Sequence, residues 1–191
     1  MGLPMAVNGI PEMRHVTKVF LTVSLLLILA SDCFPQRRDV LGWDGARWGM
    51  SEAELLKAFN SRLKKLPRRM EFFAQYADYV IPEFKMEGQS FTVFFQMDKS
   101  TDKLSQVLVR LNEQVALTSR EELFNHLASS LSREYGKPTG QKDERYTFKR
   151  KYKGIELERA WKFPATTVEL GYGWDDQIYA SILTIRYFPT K

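Results

Sequence analysis

The chain has 191 residues, with 28 Lys and Arg against 23 Asp and Glu, giving a formal net charge of +5. One cysteine rules out an internal disulfide, and two histidines leave too few ligands for the Cys- and His-rich zinc and transition-metal sites. The composition therefore excludes a disulfide scaffold, a zinc module and cysteine catalysis after position 33, and it calls for no cofactor.

Residues 1–12 carry two prolines and no basic charge, so Met13 reads as the initiator. Arg14, His15 and Lys18 then precede an apolar run, Val19 to Ala30, followed by small and polar residues. That order is the order of a secretory signal peptide and predicts export to the periplasm or cell envelope. The run falls short of the roughly 20 apolar residues that span a bilayer. A retained membrane anchor and a buried core helix are the competing readings. Cys33 stands where a bacterial lipoprotein carries its acylated residue, with Asp32 in a position such motifs give to Gly, Ala or Ser. Lipidation at Cys33 and plain cleavage after Ala30 or Cys33 are the alternatives. Leader and signal thus occupy 1–33, and 34–191 is expected to be a single domain, within the range of about 100–200 residues usual for one.

After a turn-rich stretch holding Trp43 and Trp48, Ser51 and Glu54 form a capping-box pattern. Leu55, Leu56, Phe59, Leu63 and Leu66 follow at helical spacing, and Pro67 stops the helix. Tyr79–Glu87 reads as extended, with Pro82 marking an edge or a bend. Phe91, Val93, Phe95 and Met97 alternate with less apolar positions, as do Val107, Val109 and Leu111 after a polar hairpin loop at 98–103. Ser119 and Glu122 suggest a second capping box ahead of the stripe Leu123, Phe124, Leu127, Leu131 and Tyr135, which Gly136 and Pro138 end. Past a charged loop, the segments 155–163, 166–174 and 178–188 read as a three-stranded antiparallel meander, because their connections are too short for parallel crossovers. The expected fold is α+β: two helices packed on one face of an antiparallel sheet, in the order α-β-β-β-α-β-β-β.

Few residues carry chemistry. A hydrolase or transferase needs a nucleophile beside a base, most often histidine. His15 lies in the signal, and His126 falls on the polar side of the second helix with no companion placed by any motif. Asp98, Asp102, Asp175 and Asp176 lack the spacing of a calcium loop and read as turn formers, so no metal site is expected. Glu156 and Glu158 share one strand face as a glycosidase pair can, yet Arg159 and Lys162 beside them suit a solvated surface. Lys149, Arg150, Lys151 and Lys153 are interleaved with Tyr146, Phe148 and Tyr152. Aromatics between cations suit single-stranded nucleic acid, but in an exported protein the matching polyanion is an anionic lipid headgroup or a cell-wall polymer. A solvated edge strand is the plainer reading of the same lysines.

The stretch W-G-M-S-x-x-E-L, with Gly49, Met50, Ser51 and Glu54, and the later Tyr135, Gly136, Lys137 and Pro138 resemble small bacterial envelope proteins. They are similar to uncharacterised relatives of the SmpA/OmlA (BamE) lipoprotein family and to the β-lactamase-inhibitor-like fold. The resemblance implies helices against an antiparallel sheet and an envelope location. The resulting expectation is a non-enzymatic envelope module that binds another envelope protein through its sheet or through Trp43 and Trp48. A polyanion or membrane-surface binder using Lys149, Arg150, Lys151 and Lys153 is the alternative, and nucleic acid is not expected as a partner.

Overall fold

A computed structural model of the chain describes residues 39–112, 119–148, 152–175 and 180–191. The first element is set by a tight turn. Asp44 and Gly45 both have positive φ, and Trp43 and Ala46 exchange backbone hydrogen bonds of 3.0 and 2.8 Å across them. This is the geometry of a two-residue primed turn, for which Asp-Gly is a preferred pair. The turn drives Trp43 inward, where it stacks on Phe59 at 6.2 Å and meets Phe84, Phe95 and Tyr187 at 5.5, 5.9 and 6.4 Å.

Helix α1 (Glu52–Phe59) opens with the expected capping box: the Ser51 hydroxyl accepts the Glu54 amide while Glu54 accepts the Ser51 amide at 2.7 Å. It closes earlier than its stripe suggests. Asn60 takes φ 44, a single 3-10 turn covers Asn60–Arg62, and strand β1 (Lys64–Glu71) begins. Strands β2 (Gln75–Met86), β3 (Gln89–Asp98) and β4 (Leu104–Leu111) complete an antiparallel meander. Helix α2 (Arg120–Tyr135) follows, then β5 (Gly140–Phe148), β6 (Tyr152–Lys162), β7 (Thr166–Asp175) and β8 (Ala180–Pro189). All eight strands form one sheet in the order β1-β2-β3-β4-β8-β7-β6-β5. The two meanders meet through their last strands, with Val109 opposite Ile185.

The expected α+β fold, two helices packed on one face of an antiparallel sheet in the order α-β-β-β-α-β-β-β, is therefore incorrect. The described residues are mostly β, each of the two helices among them being followed by four strands, and one of those helices has only eight residues. Two strands escaped the sequence pattern for physical reasons. Leu63, just before β1, and Leu66 within it mimic a continuing helical stripe, but Leu63 joins the main core while Leu66 packs on the opposite sheet face. Pro67 sits inside β1, tolerated because β1 is an edge strand whose pairing with β2 breaks between Lys65 and Met70. In β5 there is no apolar alternation at all; cross-strand ion pairs take its place, Lys142 to Glu156 at 2.9 Å and Asp143 to Arg159 at 2.9 Å. The second capping box also fails to form, since the Ser119 side chain makes no cap hydrogen bond.

The core lies on one face of the sheet. Leu55 and Phe59 of α1 and Leu123, Phe124, Leu127 and Leu131 of α2 join Phe91, Val93, Phe95, Val107, Val109, Leu157, Trp161, Val168, Leu170, Leu183 and Ile185 in one buried cluster. Trp161, Phe91 and Phe124 are fully buried. Because side chains alternate across a strand, the intervening residues point to the other face, which neither of the described helices covers. There a smaller cluster, Ala77, Val80, Phe94 and Leu108, is roofed by Leu66, Met70 and Phe72 from β1 and its turn.

Candidate functional site

The face of the sheet away from the two described helices holds a hollow built over two glycines. Strand β7 reads Glu169, Gly171, Gly173 along that face, so two successive inward steps of the pleat carry no side chain. The register places Gly171 between Glu158 and Thr184, and Gly173 between Glu156 and Ile182. The result is a hollow of about 390 Å³ lined by Phe72, Gln75, Gln96, Gln106, Leu108, Glu156, Glu158, Glu169, Ile182, Thr184 and Arg186 together with the two glycines. Gln75 in β2 and Glu158 in β6 are five strand spacings apart, about 24 Å on a flat sheet. The hollow therefore runs as a trough across several strands of this face.

Neither glycine is needed for the backbone. A Cβ built on Gly173 meets nothing within 4 Å, and one on Gly171 meets only the Thr184 hydroxyl at 3.8 Å. Glycine weakens a strand interior and commonly marks a place where another group approaches the backbone closely. The floor is open by composition.

Apolar surface enters the hollow at two places: Leu108, opposite Arg186, with Phe72, and Ile182, 58% exposed and opposite Gly173. The β6–β7 side is acidic. Arg186 pairs with Glu169, leaving Glu158 next to Glu169 across β6 and β7. The Glu158 carboxyl is held above its ordinary pKa, first by burial and then by the like charge of Glu169, with Arg186 opposing. Beyond them Gln106 donates to Gln96 at 2.7 Å, and Gln96 is almost wholly buried. Of the three carboxylates that line the hollow, Glu169 pairs with Arg186 and Glu156 with Lys142, in a chain whose overall charge is +5.

The residues singled out in the sequence are scattered. Trp43 is buried in the aromatic cluster. Trp48 is half-buried, and its indole N–H donates to the Thr166 hydroxyl at 2.9 Å. These two tryptophans line the helix-bearing side and do not reach the hollow on the other face. Lys153 is exposed near the start of β6, opposite Thr147, while Lys149, Arg150 and Lys151 lie outside the described residues, as does Cys33. His126 is exposed on α2. Glu156 and Glu158 do share the uncovered face, as their alternation requires. What sequence reasoning missed is their company: Glu169, Arg186, Gln96, Gln106 and the glycine floor. The available signal was L-G-Y-G-W, two glycines at strand period in an otherwise apolar run.

Among the described residues no cluster of three or more His, Cys, Asp and Glu is arranged to hold a metal ion. No protein-family model, curated protein or solved structure matches this chain.

Proposed function

We propose that the chain is an exported, non-enzymatic binding module of the cell envelope that docks another protein in the hollow on the helix-free face of its described sheet. The observation that carries this reading is the hollow over Gly171 and Gly173. A strand interior gives up two side chains there, with exposed Ile182 and the carboxylates of β6 and β7 around the gap. Such a mixed trough suits a partner segment that offers a basic side chain beside an apolar one. Export rests on the basic, apolar and small-residue order of 14–32, and the SmpA/OmlA resemblance agrees with that compartment.

Filling the floor tests the reading. Gly173→Phe should preserve or raise stability, because the added side chain meets no atom near its Cβ. Native and variant proteins are immobilised and exposed to envelope extract, and a captured protein is then titrated in purified form. A partner bound by the native protein and lost by Gly173→Phe supports the trough. Identical capture by both removes it. Salt separates the polyanion alternative, since binding through Lys149, Arg150, Lys151 and Lys153 would fall steeply with ionic strength.

A further inference from the structure

The sheet has two edges, and they are built differently. Edge strand β1 is guarded. It carries Pro67, its pairing with β2 is interrupted between Lys65 and Met70, and Lys64, Lys65 and Arg68 stand exposed with no ion-pair partner among the described residues. These are the devices by which natural sheets discourage strand addition. Edge strand β5 carries charges as well, but it has neither the proline nor the broken pairing. Gly140–Phe148 contains no proline and runs in unbroken register with β6 over nine pairs, from Gly140↔Ala160 to Phe148↔Tyr152. Its charged side chains are drawn back onto the molecule: Lys142 to Glu144 and Glu156, Asp143 to Arg159, and Arg145 to Glu121 of α2. The sheet order ends at β5, so among the described residues one side of its backbone ladder has no strand beside it.

We propose that the occupant of this edge is a second copy of the chain, paired β5 to β5 in antiparallel sense about a two-fold axis through Glu144. The symmetry restricts the register. A two-fold axis normal to the sheet keeps each side chain on its own face, so opposed residues must share parity and the axis must pass through a residue. Full overlap of the nine-residue strand puts that residue at its centre, Glu144.

The charge pattern then matches itself. Asp143 of each copy faces Arg145 of the other on the helix-bearing side, adding an opposite-charge neighbour to the Arg159 and Glu121 that they pair with in their own chain. On the uncovered face Lys142 of each copy faces the exposed ring of Tyr146, a favourable place for a cation. The one like-charge meeting is Glu144 with Glu144 at the axis, and each of those carboxylates has its own Lys142 at 3.3 Å. Gln141 faces Thr147, which is neutral. The contact is one strand wide and polar, smaller than the roughly 1,200 Å² of standard stable interfaces, so the dimer forms reversibly with concentration. It extends the sheet without using the trough, and it does not depend on the trough having a partner.

The test is a charge swap. Two differently tagged versions of the full chain are mixed in mild detergent and one tag is captured. Native chains co-purify. Asp143→Arg with itself sets Arg against Arg, and Arg145→Asp with itself sets Asp against Asp, so each homotypic mixture loses co-purification by at least tenfold. Asp143→Arg mixed with Arg145→Asp restores both pairs and recovers it. Glu144→Gln, which removes only the like charges at the axis, strengthens the association and keeps the test decisive should a swap variant fold poorly. Co-purification that is equal in all mixtures, or absent from all, overturns the proposal, as does weaker association of Glu144→Gln.

Discussion

The Trp48 indole N–H and the Thr166 hydroxyl are joined by a 2.9 Å hydrogen bond between residues 118 positions apart. The same hydroxyl accepts the Gly42 amide at 3.1 Å, so the first turn of the domain is tied to the start of β7 through one buried oxygen. Thr166 has no exposed surface. Replacing it by valine keeps the shape and strands two donors.

Thr166→Val is expected to destabilise by about 1–3 kcal/mol, the usual cost of leaving a buried donor unsatisfied. Trp48→Phe should cost less than Thr166→Val, since Gly42 keeps its acceptor. The double variant should cost less than the sum, because the two residues share one bond. Urea denaturation of the four proteins measures this, and strict additivity would show that the bond contributes nothing.

Trp43 makes four ring contacts in the main cluster. Trp43→Ala is expected to cost about 3–5 kcal/mol, as large aromatic truncations in cores do. Gly42→Ala should be comparably severe for a different reason. Gly42 has φ +119, and a Cβ there would lie 1.9 Å from the Ala46 carbonyl oxygen, so backbone must move. Thermal melts that leave either variant unchanged would remove Trp43 from the core and return it to the surface role weighed for it from sequence.

Much of the molecule was readable in its sequence wherever one physical signal acted alone. The stripe Leu123, Phe124, Leu127 and Leu131 buries as its spacing requires, and the Ser51–Glu54 box closes as written. The strands β3, β4, β6 and β7 appear close to where alternation puts them. Legibility failed where two signals were superposed. Leu63 and Leu66 continue a helical spacing by coincidence while serving opposite faces of a sheet edge. In β5, ion pairs across strands replaced hydrophobic alternation, and such pairs depend on partners distant in sequence. The trough was hidden for the same reason, since Glu158, Glu169, Arg186 and Gln96 come from four strands that only sheet order brings together.

Alkaline unfolding should report the buried tyrosines. Burial pushes Tyr187 up to about 12, and burial with donation to Asp102 at 2.7 Å pushes Tyr76 up to about 12. Tyr135, packed against Tyr187 and Glu134, is raised as well, chiefly by burial. An unfolded tyrosine titrates near 10. A group whose folded pKa is raised contributes stability fully present below the unfolded value, and that stability is lost as pH rises through the folded one. Unfolding free energy should therefore decline between about pH 10 and 12, by up to roughly 1.4 kcal/mol per pH unit for Tyr187. Tyr187→Phe should show a shallower decline over the same window, measured by denaturant titration at fixed pH steps. An unchanged slope would mean that the phenol ionises freely in the native protein.

The acidic wall of the trough gives the opposite kind of test, at ordinary pH. Glu158 has its pKa raised by burial and by Glu169, so its contribution is fully present below the unfolded carboxyl value near 4.3 and is lost as pH rises through its folded value. Above the unfolded value the native state therefore bears a cost at this carboxyl that glutamine removes. Glu158→Gln should raise the melting temperature at pH 7 and raise it less at pH 4. A cationic side chain docked in the trough would cancel the same penalty. Partner binding should accordingly weaken in Glu158→Gln even as the free protein gains stability, a trade seen by comparing melts with binding titrations at both pH values. A variant that melts at the same temperature as the native protein at pH 7 would show that Arg186 already neutralises the wall, and the trough would then have no cause to select a basic partner.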